Sequence, residues 1–254
     1  MSIAGRLTKL HFCSVVEFGA VSAAGITGAM IDPEPMIRAL EADAVRMCDA
    51  AVNEAREHGI AADGSVRVGA AASTITAFVH ETNSDGILIC THARTGLRRV
   101  LSGSVTESVL CSSDVPVIVT HADDDLTADG PITVAVDGSS ASDAALATAI
   151  SLATAGLQAL SILHVVESDA AWPEASGILS AAAERARDAN LEFELVTLRG
   201  AAAKTIVDSA RRRGSPMIVL GTHGRTAVAR AVLGSVAAAV IETATLPVTV
   251  VRRP

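Results

Sequence analysis

Residues 90–105, CTHARTGLRRVLSGSV, and residues 221–236, GTHGRTAVARAVLGSV, align without a gap. Thr, His, Arg and Thr agree near the start of both segments, and Gly-Ser-Val closes both. The correspondence continues at constant spacing to VPVIV (115–119) over LPVTV (246–250), and KLHFCSVVE (9–17) lies over ALSILHVVE (159–167). A chain that repeats itself in this way folds as two copies of one unit, which excludes most single-domain architectures at the outset. Its 254 residues suit two domains of ordinary size. An acidic, glycine-ended segment, ADDDLTADG (122–130), joins the copies, so the domains are expected at 1–121 and 131–254.

In the second copy, short Val-rich runs at 131–137, 159–167, 191–198, 216–222 and 247–253 read as buried strands. Between them lie helical stretches. One opens at Ser140, with Ser140 and Asp143 in capping spacing, and ends near Gly156. An alanine-rich one follows Trp172-Pro173 and ends near Asn190, and two more span 202–213 and 234–244. The first copy repeats this order: a strand at 9–17, a helix at 35–58, a strand at 65–71, a helix to about Ser84, a strand at 86–92, a helix at 103–113 and a strand at 116–121. Strands alternating with helices at this spacing give parallel pairing, and the expected fold is two tandem Rossmann-like, three-layer α/β/α domains. Ligands in such folds sit at the C-terminal ends of the strands.

Composition narrows the function. The net charge is −8 with an isoelectric point near 5.3, and aromatic residues make up 2% of the chain. Neither the basic stripe of a duplex binder nor the stacking platform of a single-strand binder is present, and no nucleic-acid partner is expected. Cysteines at 13, 48, 90 and 111 form no CxxC pair and read as buried, reduced, small apolar residues. The histidines show no metal-ligand spacing, so no protein-built metal site is expected. The uncharged stretch from Ala144 to Leu163 has the length of a membrane span, but Gly156 and Gln158 interrupt it, and a helix followed by a strand explains it better. Glu17 breaks the early apolar run, which argues against a signal peptide, and a cytoplasmic location is expected.

Gly221 and Gly224 fall in the turn after strand 216–222, and Gly234 and Ser235 open the following helix. Glycines in that turn are expected to permit positive φ and close approach of a ligand, while the helix N-terminus favours an anion. The chain has no lysine-bearing P-loop and no G-x-G-x-x-G after a first strand. On spacing alone the glycines serve either a phosphate cradle or only a turn and a helix cap.

The pattern Gly-x2-Gly-x9-Gly-Ser, between a strand and the final helix–strand pair, resembles the nucleotide-binding signature of the universal stress protein family. VAVDGS (134–139), LHVVE (163–167), GTHGR, GSV and PVTVVR support the resemblance, which covers the second copy throughout and the first from its second strand onward. The resemblance implies a regulatory ATP-binding protein of the stress response, with Mg2+ carried on the phosphates. Ala135, Val136 and Asp137 would line the nucleoside end, and the Val165 backbone would meet the adenine edge. Leu220, Gly221 and Gly224 would flank the ribose and phosphates. Gly234, Ser235, Val236 and Ala237 would hold the β- and γ-phosphates through backbone N–H groups. Ala237 stands where a hydroxyl residue is often found. His223 and Arg225 invite a catalytic reading, but solvent-facing loop roles are preferred.

No assembled catalytic set is evident, and at most slow ATP hydrolysis is expected. Two alternatives stand beside this reading. One is an AMP-transferring or nucleotide-hydrolysing enzyme of the related superfamily, whose HxGH-like motif is replaced here by DGSSASD; the other is an interaction module with a relic pocket. In the first copy Cys90 and Ala93 replace the turn glycines while Gly103 and Ser104 remain, so family-type ATP binding there is not expected. The repeat alignment also leaves Pro131–Leu152 without a first-copy counterpart. By resemblance the missing strand is central in the order 3-2-1-4-5. Direct pairing of strand 10–16 with strand 87–92 into a four-stranded sheet is therefore expected, unless the natural chain starts upstream. The final strands, 117–120 and 248–251, are expected to pair with each other and to support a homodimer.

Overall fold

The computed structural model describes residues 9–17, 34–91, 104–156, 158–168, 171–224 and 232–252. The chain divides into two compact units, one within Ile3–Ser84 and the other within Asp85–Pro254. The smaller contains β1 (Leu10–Val16), α1 (Glu34–Glu57), β2 (Ala62–Val68) and α2 (Ala71–Thr82). β1 and β2 pair in parallel, from Leu10 opposite Ala62 to Val16 opposite Val68. α1 buries Ala44, Cys48, Val52 and Ala55, a single stripe at helical spacing. Glu34 in its first turn and Arg56 in its last complement the helix dipole.

The larger unit contains β3 (Ile87–Thr91), α3 (Ser104–Ser112), β4 (Val117–His121), β5 (Ile132–Ala135), α4 (Ser140–Gly156) and β6 (Leu160–Val166). It continues through α5 (Trp172–Asp188), β7 (Phe193–Arg199), α6 (Ala202–Arg212), β8 (Ile218–Gly221), α7 (Ser235–Thr243) and β9 (Val248–Val251). Its seven-stranded sheet has the order β3-β4-β9-β8-β5-β6-β7. Every pairing is parallel except β4 with β9. The order β7-β6-β5-β8-β9 is the expected 3-2-1-4-5. β5, β6 and β9 are buried almost without alternation, as strands covered on both faces must be. Ile132, Val134, Leu160 and Ile162 meet Ala145, Leu146, Ala149 and Ala153 of α4 and Leu179, Ala182 and Ala186 of α5 in one core. The alanines let both helices approach the sheet closely, which accounts for the composition.

The duplication is visible in the backbone. Ile60 donates to Ala55 O around Gly59, at φ +75°, and Leu191 donates to Ala186 O around Asn190, at φ +54°. Ser84 donates to Val79 O after Asn83, at φ +48°, as Ser215 donates to Ala210 O after Gly214, at φ +61°. Equivalent helices end on the same left-handed residue, and only Gly and Asn exchange there because only they enter that region readily.

Several expectations need correction. β1 does not pair with β3: β1 has β2 as its neighbour, and β3 has β4. The β2-to-β3 connection has the length of the β7-to-β8 connection, which carries the chain past the central β5 rather than to an adjacent strand. The final strands pair with each other as expected, Val117 with Val250 and Val119 with Val248. Both are then flanked on each side, so neither offers a free edge to a second chain. α4 is capped one residue earlier than expected, since Ser142 N–H donates to Ser139 Oγ at 3.2 Å. Of the four free cysteines only Cys48 is buried, and Cys90 is exposed. The uncharged stretch 144–163 divides at Gly156 into α4 and β6, and no described helix is long and apolar enough to cross a membrane.

Ile162 is fully buried (0%) at the centre of the core. Ile162→Ala is expected to cost about 2–5 kcal/mol, read as faster hydrogen exchange in the slowest amides of β5, β6 and β8. In the smaller unit, Lys9 Nζ lies 2.7 Å from Asp63 Oδ2 and His11 Nδ1 lies 2.5 Å from Oδ1. The Lys9 hydrogen bond, with His11 adding to it, holds the Asp63 carboxyl below its ordinary value. A carboxylate depressed in this way contributes stability above the unfolded value, near pH ~4, and loses it as the pH falls through the lowered folded value. Asp63 is half exposed, so solvent screening keeps the effect small. The protection of the β1 amides, measured against the exchange rate of the unstructured chain at the same pH, is expected to weaken on acidification below about pH 4, and Asp63→Asn is expected to remove that part of the pH dependence.

Candidate functional site

β5 is hydrogen-bonded to β6 on one side and β8 on the other. The chain winds outward from β5 through β6 to β7, then returns past β5 to place β8 on the opposite side. The strand order therefore reverses between β5 and β8, and such a reversal opens a crevice at the C-terminal strand ends. Val136 and Asp137 lie just past the end of β5, Val165 near the end of β6, and Leu220 and Gly221 at the end of β8. Val136 and Leu220 are buried, at 6% and 4% exposure, while Ala135, Asp137 and Val165 are half-buried.

The loop after β5 is held by its own polar groups. Gly138 turns the chain at φ +77°, and Ser139 N–H donates to Asp137 Oδ1 at 2.9 Å. Ser139 Oγ caps α4 and also donates to His223 O at 3.4 Å, which joins this loop to the one after β8. A Cβ built on Gly224 would stand 2.8 Å from Asp137 Oδ2. The carboxylate thus fills the space that a side chain at position 224 would need.

The loop after β8 is tied in turn to α7. Gly234 caps α7 without a side-chain hydrogen bond, and its N–H donates to Thr222 O at 2.8 Å. Ala238 N–H returns to Gly234 O at 2.9 Å as the first intrahelical bond. The N–H groups of Ser235, Val236 and Ala237 therefore have no intrahelical acceptor. Ser235 and Val236 are exposed there, whereas the Ala237 side chain is buried in the core. Together with the helix dipole, this end of α7 attracts an anion.

None of the three site glycines has a positive φ, contrary to expectation. Gly221 and Gly234 are required by close packing instead, whereas Gly224 meets only the end of the Asp137 side chain. A Cβ on Gly221 would lie 2.8 Å from the Ala141 backbone in α4, and one on Gly234 would lie 2.7 Å from Thr222 O. Gly234→Val would therefore displace the cap itself. The first copy's Cys90 is exposed on β3, and no helix equivalent to α4 is present among the described residues of that copy. Among the described residues its side chain meets no counterpart of Ala141. Ser104 begins α3 and is exposed, while Gly103, Ala93 and Arg225 lie outside the described residues.

The structure brings Asp137, Gly224 and the α7 N-terminus together through Ser139, His223 and Thr222. Val165 sits one strand over, opposite Leu198, and takes no part in the Asp137–Gly224 contact. One histidine escaped the site reading. His164 is buried, and its Nδ1 is 2.6 Å from Val136 O, so it fastens β6 to the end of β5. A polar residue inside the apolar run 160–166 was the signal that could have found it. His223 Nδ1 is 3.1 Å from Thr222 Oγ1, and its Nε2 is buried without a hydrogen-bond partner among the described residues. No group of metal-ligating side chains occurs among the described residues.

Gly221→Ala is expected to destabilise the larger unit by about 1–3 kcal/mol through overpacking against α4. Gly177, in α5, has open space where its Cβ would stand, so Gly177→Ala is expected to stabilise by about 0.5–1 kcal/mol. Denaturant midpoints of the two variants moving in opposite directions would bear this out.

Comparison with known proteins agrees with this architecture. A universal stress protein of Mycobacterium bovis is 30% identical over 186 residues, covering 66% of this chain and 61% of that relative. The chain thus spans about three-fifths of that relative's length. A universal stress protein of Mycolicibacterium smegmatis is 29% identical over 213 residues, covering 77% of this chain and 70% of the relative. Among solved structures, a universal stress protein from Archaeoglobus fulgidus superposes with a TM-score of 0.73 at 22% identity, over 96% of this chain and 86% of that one, a likeness of fold. The universal stress protein family itself matches residues 2–121 and 130–252, both copies nearly end to end, and the chain belongs to that family.

Proposed function

We infer that the second copy, residues 131–254, is a regulatory ATP-binding module, and that the first copy, residues 1–121, has lost family-type ATP binding. The observation that carries this reading is the exposed first turn of α7, with three N–H groups lacking intrahelical acceptors, tied through Gly234 and Thr222 to the crevice between β5 and β8. In this reading Gly234, Ser235, Val236 and Ala237 hold phosphates through backbone N–H groups. Asp137 and Val165 face the nucleoside, and Mg2+ rides on the phosphates. Nucleotide occupancy then biases the loops that Asp137, Ser139 and His223 join. The exposed free thiol of Cys90 suits a reducing, cytoplasmic setting.

Two measurements test this. Freshly purified protein, denatured and analysed by mass spectrometry, is expected to release an adenine nucleotide. Ser235→Glu places a carboxylate at the start of α7, where it favours the helix but repels phosphate. ATP affinity by calorimetry is expected to fall at least about tenfold, the effect of one unfavourable charge near 1.4 kcal/mol, with the thermal midpoint retained. Unchanged affinity in this variant would place the site elsewhere.

A further inference from the structure

The β1–β2 ladder repeats β6–β7 residue for residue. Leu10 faces Ala62 as Leu160 faces Phe193, and Gly69 donates to Val16 O as Gly200 donates to Val166 O. The far edges differ. β6 pairs with β5 along Leu160–Leu163, and α4 and α5 close over it, leaving Leu160 and Ile162 fully buried (0%). β1 has no strand on that edge among the described residues, and Leu10 and Phe12 stay partly exposed. A groove of about 220 Å³ lies there between β1 and α1, lined by Leu10, Phe12, Ala51, Ala55 and Ile60, with Glu54 and His58 also lining it. In the second copy the matching space is filled by the alanine face of α4.

Charge distinguishes the two grooves. Glu54 precedes Ala55, and Arg185 precedes Ala186, the two residues that accept the equivalent helix-ending hydrogen bonds. Arg185 lies 3.6 Å from Asp143, in the first turn of α4. The first copy therefore has an acid where the second has the base that engages its covering helix.

We propose that the free edge of β1 and the groove beside α1 are a docking site for a partner polypeptide carrying a β-strand followed by a helix faced with small residues, with a lysine or arginine in the first helical turn opposite Glu54. The strand satisfies the edge N–H and C=O groups of β1 by parallel addition, and the helix covers Leu10 and Phe12. A two-stranded ladder is marginal without such cover. A second copy of this chain does not supply the segment, because its own β5 is central in its sheet, with Val134 fully buried (0%).

The test uses the full chain and two synthetic peptides: residues 131–156 of this sequence, and the same peptide with Asp143→Lys. The Asp143→Lys peptide is expected to bind saturably and to slow exchange of the Leu10–Cys13 amides at least tenfold. Glu54→Lys changes an exposed residue, and in that variant the preference is expected to invert, the unmodified peptide binding at least fivefold better. No saturable binding of either peptide, slowed exchange only outside β1, or an unaltered preference in Glu54→Lys would each overturn the proposal.

Discussion

The two-sided hydrogen bonding of β5 is the constraint on which the larger unit depends. The strand is only four residues long, yet Ile132 and Val134 are almost wholly removed from water while β6 and β8 satisfy its backbone on either side. Burial of this kind is possible only because both edges are paired. β5 also delivers Asp137 to the crevice and launches α4 over the sheet. The loop positions, the core and the close approach of Gly221 to Ala141 all follow from that one strand.

This explains a difference between the copies that ligand binding alone would leave ambiguous. Gly221 and Cys90 occupy equivalent positions, at the ends of β8 and in β3. The glycine is demanded by the first turn of α4 against it, and the cysteine is tolerated where no such helix is described. A glycine at this position thus answers to packing against α4. Gly224 and Gly234 tell a related story, since one yields space to a carboxylate and the other to a carbonyl. Glycines at a binding loop can serve the architecture of the loop before they serve any ligand.

The remaining elements of the first copy are divided. β3 and β4 extend the larger sheet through the antiparallel β4–β9 pairing, in which Val119 and Val248 are both fully buried (0%). That pairing removes an edge from each copy, and edges are what sheet proteins most need to protect. β1 and β2 keep a parallel ladder of their own, with the same left-handed turns and the same closing glycine as β6 and β7.

Local chemistry carried most of this fold into the sequence. Apolar runs, alanine-rich helices, helix-ending Gly and Asn residues and the gapless repeat located every described strand and helix to within a few residues, because each rests on contacts between near neighbours. The strand order of the second copy and the β4–β9 pairing came from the family resemblance and hold. The partners of β1 and β3 were not legible, because strand pairing depends on which distant segment reaches an open edge. The role of the glycines was misread for the same reason: conformational freedom is a local property, but the atoms that exclude a Cβ at Gly221, Gly224 and Gly234 belong to other segments. His164 and Ser139 became visible only once folding brought β5, β6 and the β8 loop together. Sequence by itself determined the elements and the candidate anion site, and tertiary structure decided which residues crowd that site and which strands pair.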